Sequence, residues 1–337
     1  VGAAPRAHAV GGEDLWLVTM APGFDLFSRF GHNALLVRER ASGRAIVYNF
    51  GTFDGNDPDM LSKYLARKLD YYVSRSSYER TVEIYRGRTI TAQHLDLPAV
   101  ASDRLVERLR WLALPENAAY RYDHIRDNCS TRIRDLLDEA TGGALRERFA
   151  RTQSTSTIRG ELDRILGNVP FERWGVSYIL GGAVDEPASR WELQFLPRNL
   201  RDDVGEIIVL HPNGESRPLV DAERKILEGA EEPTSIEREA LIGVSALFLL
   251  PFALAVLFGG GRRSMRALVG AWLAVWGLLA GIGGSLLVFL WVVGFSAGQA
   301  NGNLLFTSPL HFLLFPLGIL YAIGKLGPRG LRLLRLL

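Results

Sequence analysis

The chain has 337 residues, 47% of them hydrophobic, with a formal net charge of +2 and a single cysteine. That length allows a domain with a full core plus a second region. One thiol excludes an internal disulfide, and basic residues form no stripe interleaved with stacking aromatics, so no nucleic-acid partner is expected.

Residues 1–14, which include VGAAPRAHAVGG, read as a tail without the charged and apolar regions of an export signal, so that signal is absent or has been removed. EDLWLVTMAPG, HNALLVRER and GRAIVYNFGTF are short and β-rich, the last two being neighbouring strands joined at ASGR. PDMLSKYLARKLDYYV carries helical spacing at Leu61, Leu65 and Leu69, and TVEIYRGRTI reads as a strand. AVASDRLVERLRWLAL predicts an amphipathic helix with Leu105, Leu109 and Leu112 on one side and Ser102 or Asp103 as its cap. YRYDHIRDNCSTRIRDLLDEAT gives a loop and then a helix from near Asn128, ended by the glycines at 142 and 143. TQSTST at 152–157 reads as a polar loop, and WGVSYILGGAVDEP at 174–187 as a substrate-side loop or a structural turn around Asp185. IIVLHPNGESRPLV predicts a hairpin about Asn213 and Gly214. Strands and helices do not alternate as in a doubly wound fold, so residues 15–235 are expected to form one α+β domain.

Residues 236–337 differ in kind. No charge occurs from Ala240 to Phe258, and none of Asp, Glu, Lys or Arg from Ala267 to Gly324. A membrane span needs about 20 apolar residues. With a break at the polar SAGQANGN, this predicts three transmembrane helices, at about 240–258, 267–295 and 304–323. Arg262, Arg263 and Arg266 lie between the first two, and Lys325, Arg329, Arg332 and Arg335 follow the third. The excess of positive charge then puts the C-terminus in the cytoplasm and the 15–235 domain on the outer face of the membrane. Asn303 and His311 fall at the outer end of the third span, where polar groups either serve function or make packing hydrogen bonds.

The lone thiol, Cys129, stands at the start of a predicted helix, behind Asp127 and Asn128. Unpaired N–H groups and the helix dipole stabilise a thiolate there. The alternative is a small buried apolar residue. A catalytic thiol needs a base and a group to orient it. Among six histidines, His8 is in the tail, His94 at an element junction, His124 in the adjacent loop, His211 in a turn and His311 in a span. His32, in FSRFGHNALLV, begins a strand, and the following strand brings Asn49 or Tyr48 beside it. The candidate site is therefore Cys129, His32 and Asn49 or Tyr48, a papain-type set in reversed chain order. Arg29, Arg126, Arg132 and Arg134 either attract lipid headgroups or are simply solvated. Tyr122, Asp123 and Asn128 either shape the site or fix its loop. No His/Cys cluster at ligand spacing and no phosphate-binding glycine loop is present, so no metal or other cofactor is expected.

FGHNALLV, VYNFGTFD, YRYDHIRDNCSTRIRDLLD and FLPRNL, in scattered blocks over residues 15–235, resemble the Lnb-type lipoprotein transacylase family with its Lnb N-terminal periplasmic domain. DNCSTRIRDLL is the most specific block, and NGNLLFTSPLHFLLF is similar to a stretch of membrane-bound members. The resemblance implies a permuted papain-like (NlpC-type) domain in the bacterial inner membrane. It implies acyl transfer from the diacylglyceryl cysteine of a lipoprotein to its α-amine, with Cys129 as nucleophile and His32 as base. The partners implied are the lipoprotein and membrane phospholipid. The competing readings are a membrane-tethered cysteine peptidase or amidase acting on cell-wall peptide, and a non-catalytic scaffold. Oligomeric state is left open.

Overall fold

The computed structural model describes residues 12–25, 28–229 and 263–336. The expected span at 240–258 lies outside them. Two compact units are present, one formed by residues up to 161 with 187–233, the other by 162–186 with the C-terminal region.

The first unit is built on a seven-stranded antiparallel sheet in the order β11-β5-β1-β2-β3-β4-β6. The strands are β1 (Glu13–Met20), β2 (His32–Glu39), β3 (Ala45–Thr52), β4 (Tyr71–Ser77), β5 (Ile90–Leu95), β6 (Ala119–Tyr120) and β11 (Val220–Leu227). Two small pairs accompany it: β7 (Gln153–Thr157) with β8 (Pro187–Ser189), and β9 (Ile208–Leu210) with β10 (Ser216–Pro218). Both faces of the central strands are covered, so their side chains alternate between two apolar layers. Leu15, Leu17, Leu35, Val37, Tyr48 and Phe50 pack with residues of the helices Ala99–Leu112 and Cys129–Ala140. Val18, Met20, Ala34, Leu36, Val47, Ile90 and Ala92 form the other layer, with Tyr78, Val82 and Tyr85 against it.

The β1–β2–β3 strands, the Cys129 helix with its terminal glycines and the hairpin at Asn213–Gly214 follow the sequence reading. Other segments depart from it. The helix after Asp59 runs only from Met60 to Leu65, because Arg67 takes a left-handed φ of 55° and the aromatic and β-branched Tyr71–Val73 run starts β4. TVEI, residues 81–84, is helical rather than extended. Ser77 Oγ accepts the Arg80 N–H at 3.2 Å and starts the helix Tyr78–Ile84. The Ala99–Leu112 helix begins after Pro98, not at a Ser102 or Asp103 cap. TQSTST contributes β7 rather than a loop.

In the second unit a helix spans Arg263–Val292, and 3₁₀ turns lead into a helix over Leu314–Ala322. Both segments, Arg263–Val292 and Gly302–Ala322, are long and apolar enough to cross a membrane, and only 33% and 17% of their most apolar windows are buried. Their pairing rests on glycine. A Cβ on Gly270 would come within 2.5 Å of Gly318 O, and one on Gly318 within 2.6 Å of Gly270 O and Ala274 N. Gly277 faces Leu314 and Gly281 faces the Phe312 ring in the same way. The small residues Gly270, Ala274, Gly277, Gly281 and Gly284 recur every three or four positions, one stripe of a helix, and let the two backbones approach without side chains between them. Residues 174–179, expected as part of a loop over 174–187, lie in a helix of this unit, Pro170–Ile179.

Candidate active site

The site lies where β2, β3 and the Cys129 helix meet. Gly31 turns the chain into β2 with φ +80°, and a Cβ there would press to 3.0 Å from Met20 O, so glycine permits the turn that places His32 first in the strand. Across the ladder, Asn49 pairs with Ala34 and Tyr48 with Leu35. Alternation therefore puts Asn49 on the His32 side and Tyr48 in the apolar layer beneath the Cys129 helix. Asn49 Oδ1 lies 3.3 Å from His32 Nε2. Of the two orienting candidates, the structure brings Asn49 to the imidazole and buries Tyr48 in the core.

A chain of hydroxyls fixes which way round the Asn49 amide sits. Thr81 Oγ1 donates to the Ser77 carbonyl at 3.0 Å, and a carbonyl can only accept. Thr81 then accepts from Ser76 Oγ at 2.7 Å, and Ser76 accepts from Asn49 Nδ2 at 3.2 Å. The amide oxygen is left for His32, so Nε2 carries the proton and Nδ1 is the free base. The His32 ring also stacks on Tyr85, with centroids 5.6 Å apart and an 11° tilt.

Cys129 is the first residue of its helix, behind Asn128. Asn128 Oδ1 accepts the N–H groups of Ser130 and Thr131 at 2.9 Å, and its Nδ2 donates to the carbonyls of His124 and Phe195. Asn33 Nδ2 donates to Ser130 Oγ and to Pro197 O, and Ser130 Oγ donates to Gln194 O. The quoted FGHN, DNCS and FLPRNL blocks thus meet behind the thiol. Burial pushes the Cys129 thiol up, but the charge and hydrogen bond of His32, the Asn33 N–H and the Tyr122 hydroxyl outweigh it, and the thiol falls below its ordinary value.

Tyr122 belongs to this site. Burial, then the negative charge of Cys129, holds its phenol well above the usual range, so it stays a hydrogen-bond donor, and it also meets the Cys129 N–H. Gly51 makes room for it: φ is +86°, the β3–β4 ladder breaks register there, and a Cβ would lie 2.8 Å from the Tyr122 ring. Asp123 holds the loop, accepting the N–H groups of Ile125 and Arg126 and pairing with Arg67 at 3.0 Å. Arg132 is occupied by Asp127 at 2.6 Å and lies over the Tyr120 ring. Arg29 is buried and donates to Phe24 O. Arg88, in a stretch with no motif of its own, also reaches this site. It sits over the Tyr85 ring, feels the charge of Cys129, and its Nη2 is buried with no hydrogen-bond partner among the described residues.

Asn303 and His311 belong to the second unit. Asn303 Nδ2 donates to Tyr178 O at 2.9 Å, and His311 Nδ1 accepts the Ser308 N–H at 3.0 Å. Both bonds are internal to that unit. A cavity of about 540 Å³ in the first unit, lined by Arg148, Phe149, Arg190 and Glu206, includes neither Cys129 nor His32. Among the described residues no group of three or more His, Cys, Asp or Glu side chains converges as a metal site.

A thiol below its ordinary range, an imidazole bonded to it and an amide bonded to that imidazole form a candidate thiol–imidazole site on a mixed helix–sheet domain. Residues 9–161, which hold all three, match the family model described as the Lnb N-terminal periplasmic domain. No curated protein and no solved structure matches the chain.

Proposed function

We propose that this protein is a cysteine-dependent acyltransferase of bacterial lipoproteins, moving one acyl chain from the diacylglyceryl cysteine to its own α-amine and leaving a lyso-form product. The observation that carries the reading is the His32–Cys129 contact, which holds a buried thiol below its ordinary range. The Lnb domain over residues 9–161 supports the lipoprotein substrate at the level of the family. Two apolar helices support a site served by a membrane. The His–Asn–Cys order supports a permuted papain-like domain, and the cationic residues Arg263, Arg266, Lys325 and Arg329 support a cytoplasmic C-terminus.

In the proposed reaction His32 Nδ1 takes the thiol proton and the thiolate attacks the ester carbonyl. The developing oxyanion is assigned to the helix N-terminus at the Cys129 N–H, which exchanges its contact with the Tyr122 hydroxyl for the oxyanion. The imidazolium returns its proton to the glycerol oxygen as the C–O bond breaks, leaving an acyl-thioester on Cys129. The unprotonated α-amine of the same substrate then attacks the thioester. A C–N bond forms, the C–S bond breaks, His32 collects the amine proton and the thiol is regenerated by its return. Tethering amine and ester in one molecule raises the effective concentration of the second nucleophile. Arg88 adds positive potential beside the thiolate. Arg29, Asp123, Asn128 and Arg132 serve as supports of the site. Asn303 and His311, bonded within the second unit, take no part in the proposed steps.

The test is mass spectrometry of a diacylglyceryl lipopeptide incubated with the full chain in lipid, beside Cys129→Ala. Unchanged total mass with one acyl chain moved to the amine, seen only with the thiol, supports the reading. Loss of an acyl mass indicates a lipase, gain of one an external donor, and cleavage of peptide bonds alone a peptidase.

A further inference from the structure

The helix Pro170–Ile179 buries none of its residues, yet carries Phe171 at 80% exposure and Trp174 at 54%. Phe171, Trp174 and Tyr178 are spaced i, i+3, i+7 and share one helical face. Trp174 and Tyr178 stack with centroids 5.5 Å apart. The helix is tied to the turn between the two apolar segments. Asn301 and Asn303 both donate to Tyr178 O, at 2.8 and 2.9 Å, and Tyr178 Oη bonds Thr307 Oγ1 at 2.6 Å. The chain beyond is tied there too: Gly181 N–H donates to Ala297 O at 2.7 Å.

Depth along the long helix places this attachment. Tyr178 Oη sits against Gly283, where any Cβ would overlap it. Gly283 is about 26 Å along the helix axis from Arg266 at 1.5 Å per residue, and an apolar bilayer core is about 30 Å thick. With Arg263 and Arg266 at one membrane surface, Tyr178 lies at the opposite one. Phe289, Trp291, Leu305 and Phe306, on the apolar segments, are exposed as well.

We infer that residues 170–179 form an interfacial helix whose Phe171–Trp174 face lies in the headgroup–acyl boundary of the bilayer, at the end of the spans opposite Arg263 and Arg266. Aromatic rings with one polar edge concentrate at that boundary, and an amphipathic helix can lie in its plane. The occupant of this face is lipid. The inference is independent of the reaction proposed for Cys129.

The chain's single cysteine makes the test direct. In the full chain with Cys129→Ala, reconstituted in phosphatidylethanolamine–phosphatidylglycerol vesicles, Phe171→Cys is labelled with a nitroxide. Collisions with oxygen, which enters lipid, are compared with those of a water-soluble nickel chelate. Val275→Cys on the span and Leu210→Cys on the soluble sheet serve as references, both being exposed. The expected result is an oxygen-to-nickel ratio for Phe171→Cys close to that of Val275→Cys and at least severalfold above that of Leu210→Cys. A ratio equal to that of Leu210→Cys would overturn the inference, and so would protection from both probes, which marks a protein occupant. Should the cysteine-free chain misfold, quenching by lipids brominated near the headgroup in a Trp272→Phe, Trp276→Phe, Trp291→Phe background that keeps Cys129, lost on the further change Trp174→Tyr, provides the same decision. No loss on that substitution would overturn it.

Discussion

Asn49 presents its amide oxygen to His32 Nε2 at 3.3 Å, and it does so in one sense only. The Ser77 carbonyl, two hydroxyls away from the amide, sets that sense. A residue outside contact with the thiol thereby decides which imidazole nitrogen is the base.

Removing the Thr81 hydroxyl breaks this chain. In Thr81→Val, Ser76 is free to donate to Asn49, the amide can turn, and the proton on His32 is no longer directed to Nε2. Alkylation of Cys129 by iodoacetamide at neutral pH should slow about tenfold, the equivalent of one pKa unit. Thr81→Ser should restore the rate, and ¹⁵N-imidazole spectra should report the changed tautomer. An unaltered profile in the valine variant would place Thr81 in packing alone.

The thiol itself has opposing influences that can be separated by pH. Burial raises it, and His32 with the local hydrogen bonds lowers it further than burial raises it. In the intact protein the alkylation rate should therefore rise through an inflection below the ordinary thiol value of about 8.5. In His32→Gln the burial persists without the charge, so the inflection should move above that value. Turnover should fall about a hundredfold or more, the scale of a lost general base.

Two glycines with similar backbone angles should respond differently to alanine. Gly43 has φ +72° and open space around its Cβ position, whereas Gly51 has φ +86° and the Tyr122 ring 2.8 Å away. Gly43→Ala should cost about 1 kcal/mol from the left-handed backbone alone. Gly51→Ala should cost about 2 kcal/mol or more and also displace Tyr122 from the thiol. Denaturant midpoints compare the stabilities, and the alkylation profile reads the displacement.

In the paired apolar segments, Gly318→Leu forces a branched side chain between backbones that meet at Gly270 and Ala274. Its thermal midpoint in detergent should drop by several degrees, while Val275→Leu, on an exposed position, should leave it unchanged.

Much of the site could be read along the chain because its parts carry local signals. A lone cysteine behind Asn128 marks a capped helix start, and a glycine before His32 marks the turn into a strand. Asn49 and Tyr48 could not be separated without the register, since one residue of slip exchanges the two faces. The helix at Tyr78 was hidden by the β-branched and aromatic residues of TVEIY, although Ser77 followed by Arg80 is a cap spacing. Missing that helix hid Tyr85 and Thr81, and with them the stacking partner of His32 and the hydroxyl chain. The grouping of 162–186 with the C-terminal region depends on Asn301 and Asn303 reaching a carbonyl more than a hundred positions away. Periodicity does not report such contacts, but two asparagines in an otherwise apolar stretch were the available cue.

The account stands most directly on a covalent intermediate at Cys129. The measurement is intact-protein and peptide mass spectrometry of the full chain quenched in acid during incubation with a diacylglyceryl lipopeptide whose α-amine is blocked. With the amine blocked, the second step cannot proceed and the thioester should accumulate. The predicted result is one acyl mass on the peptide containing Cys129, released by neutral hydroxylamine and missing from Cys129→Ala and, at the same time point, from His32→Gln. An acyl mass on another residue, or transfer to an unblocked lipopeptide by Cys129→Ala at the wild-type rate, would contradict it.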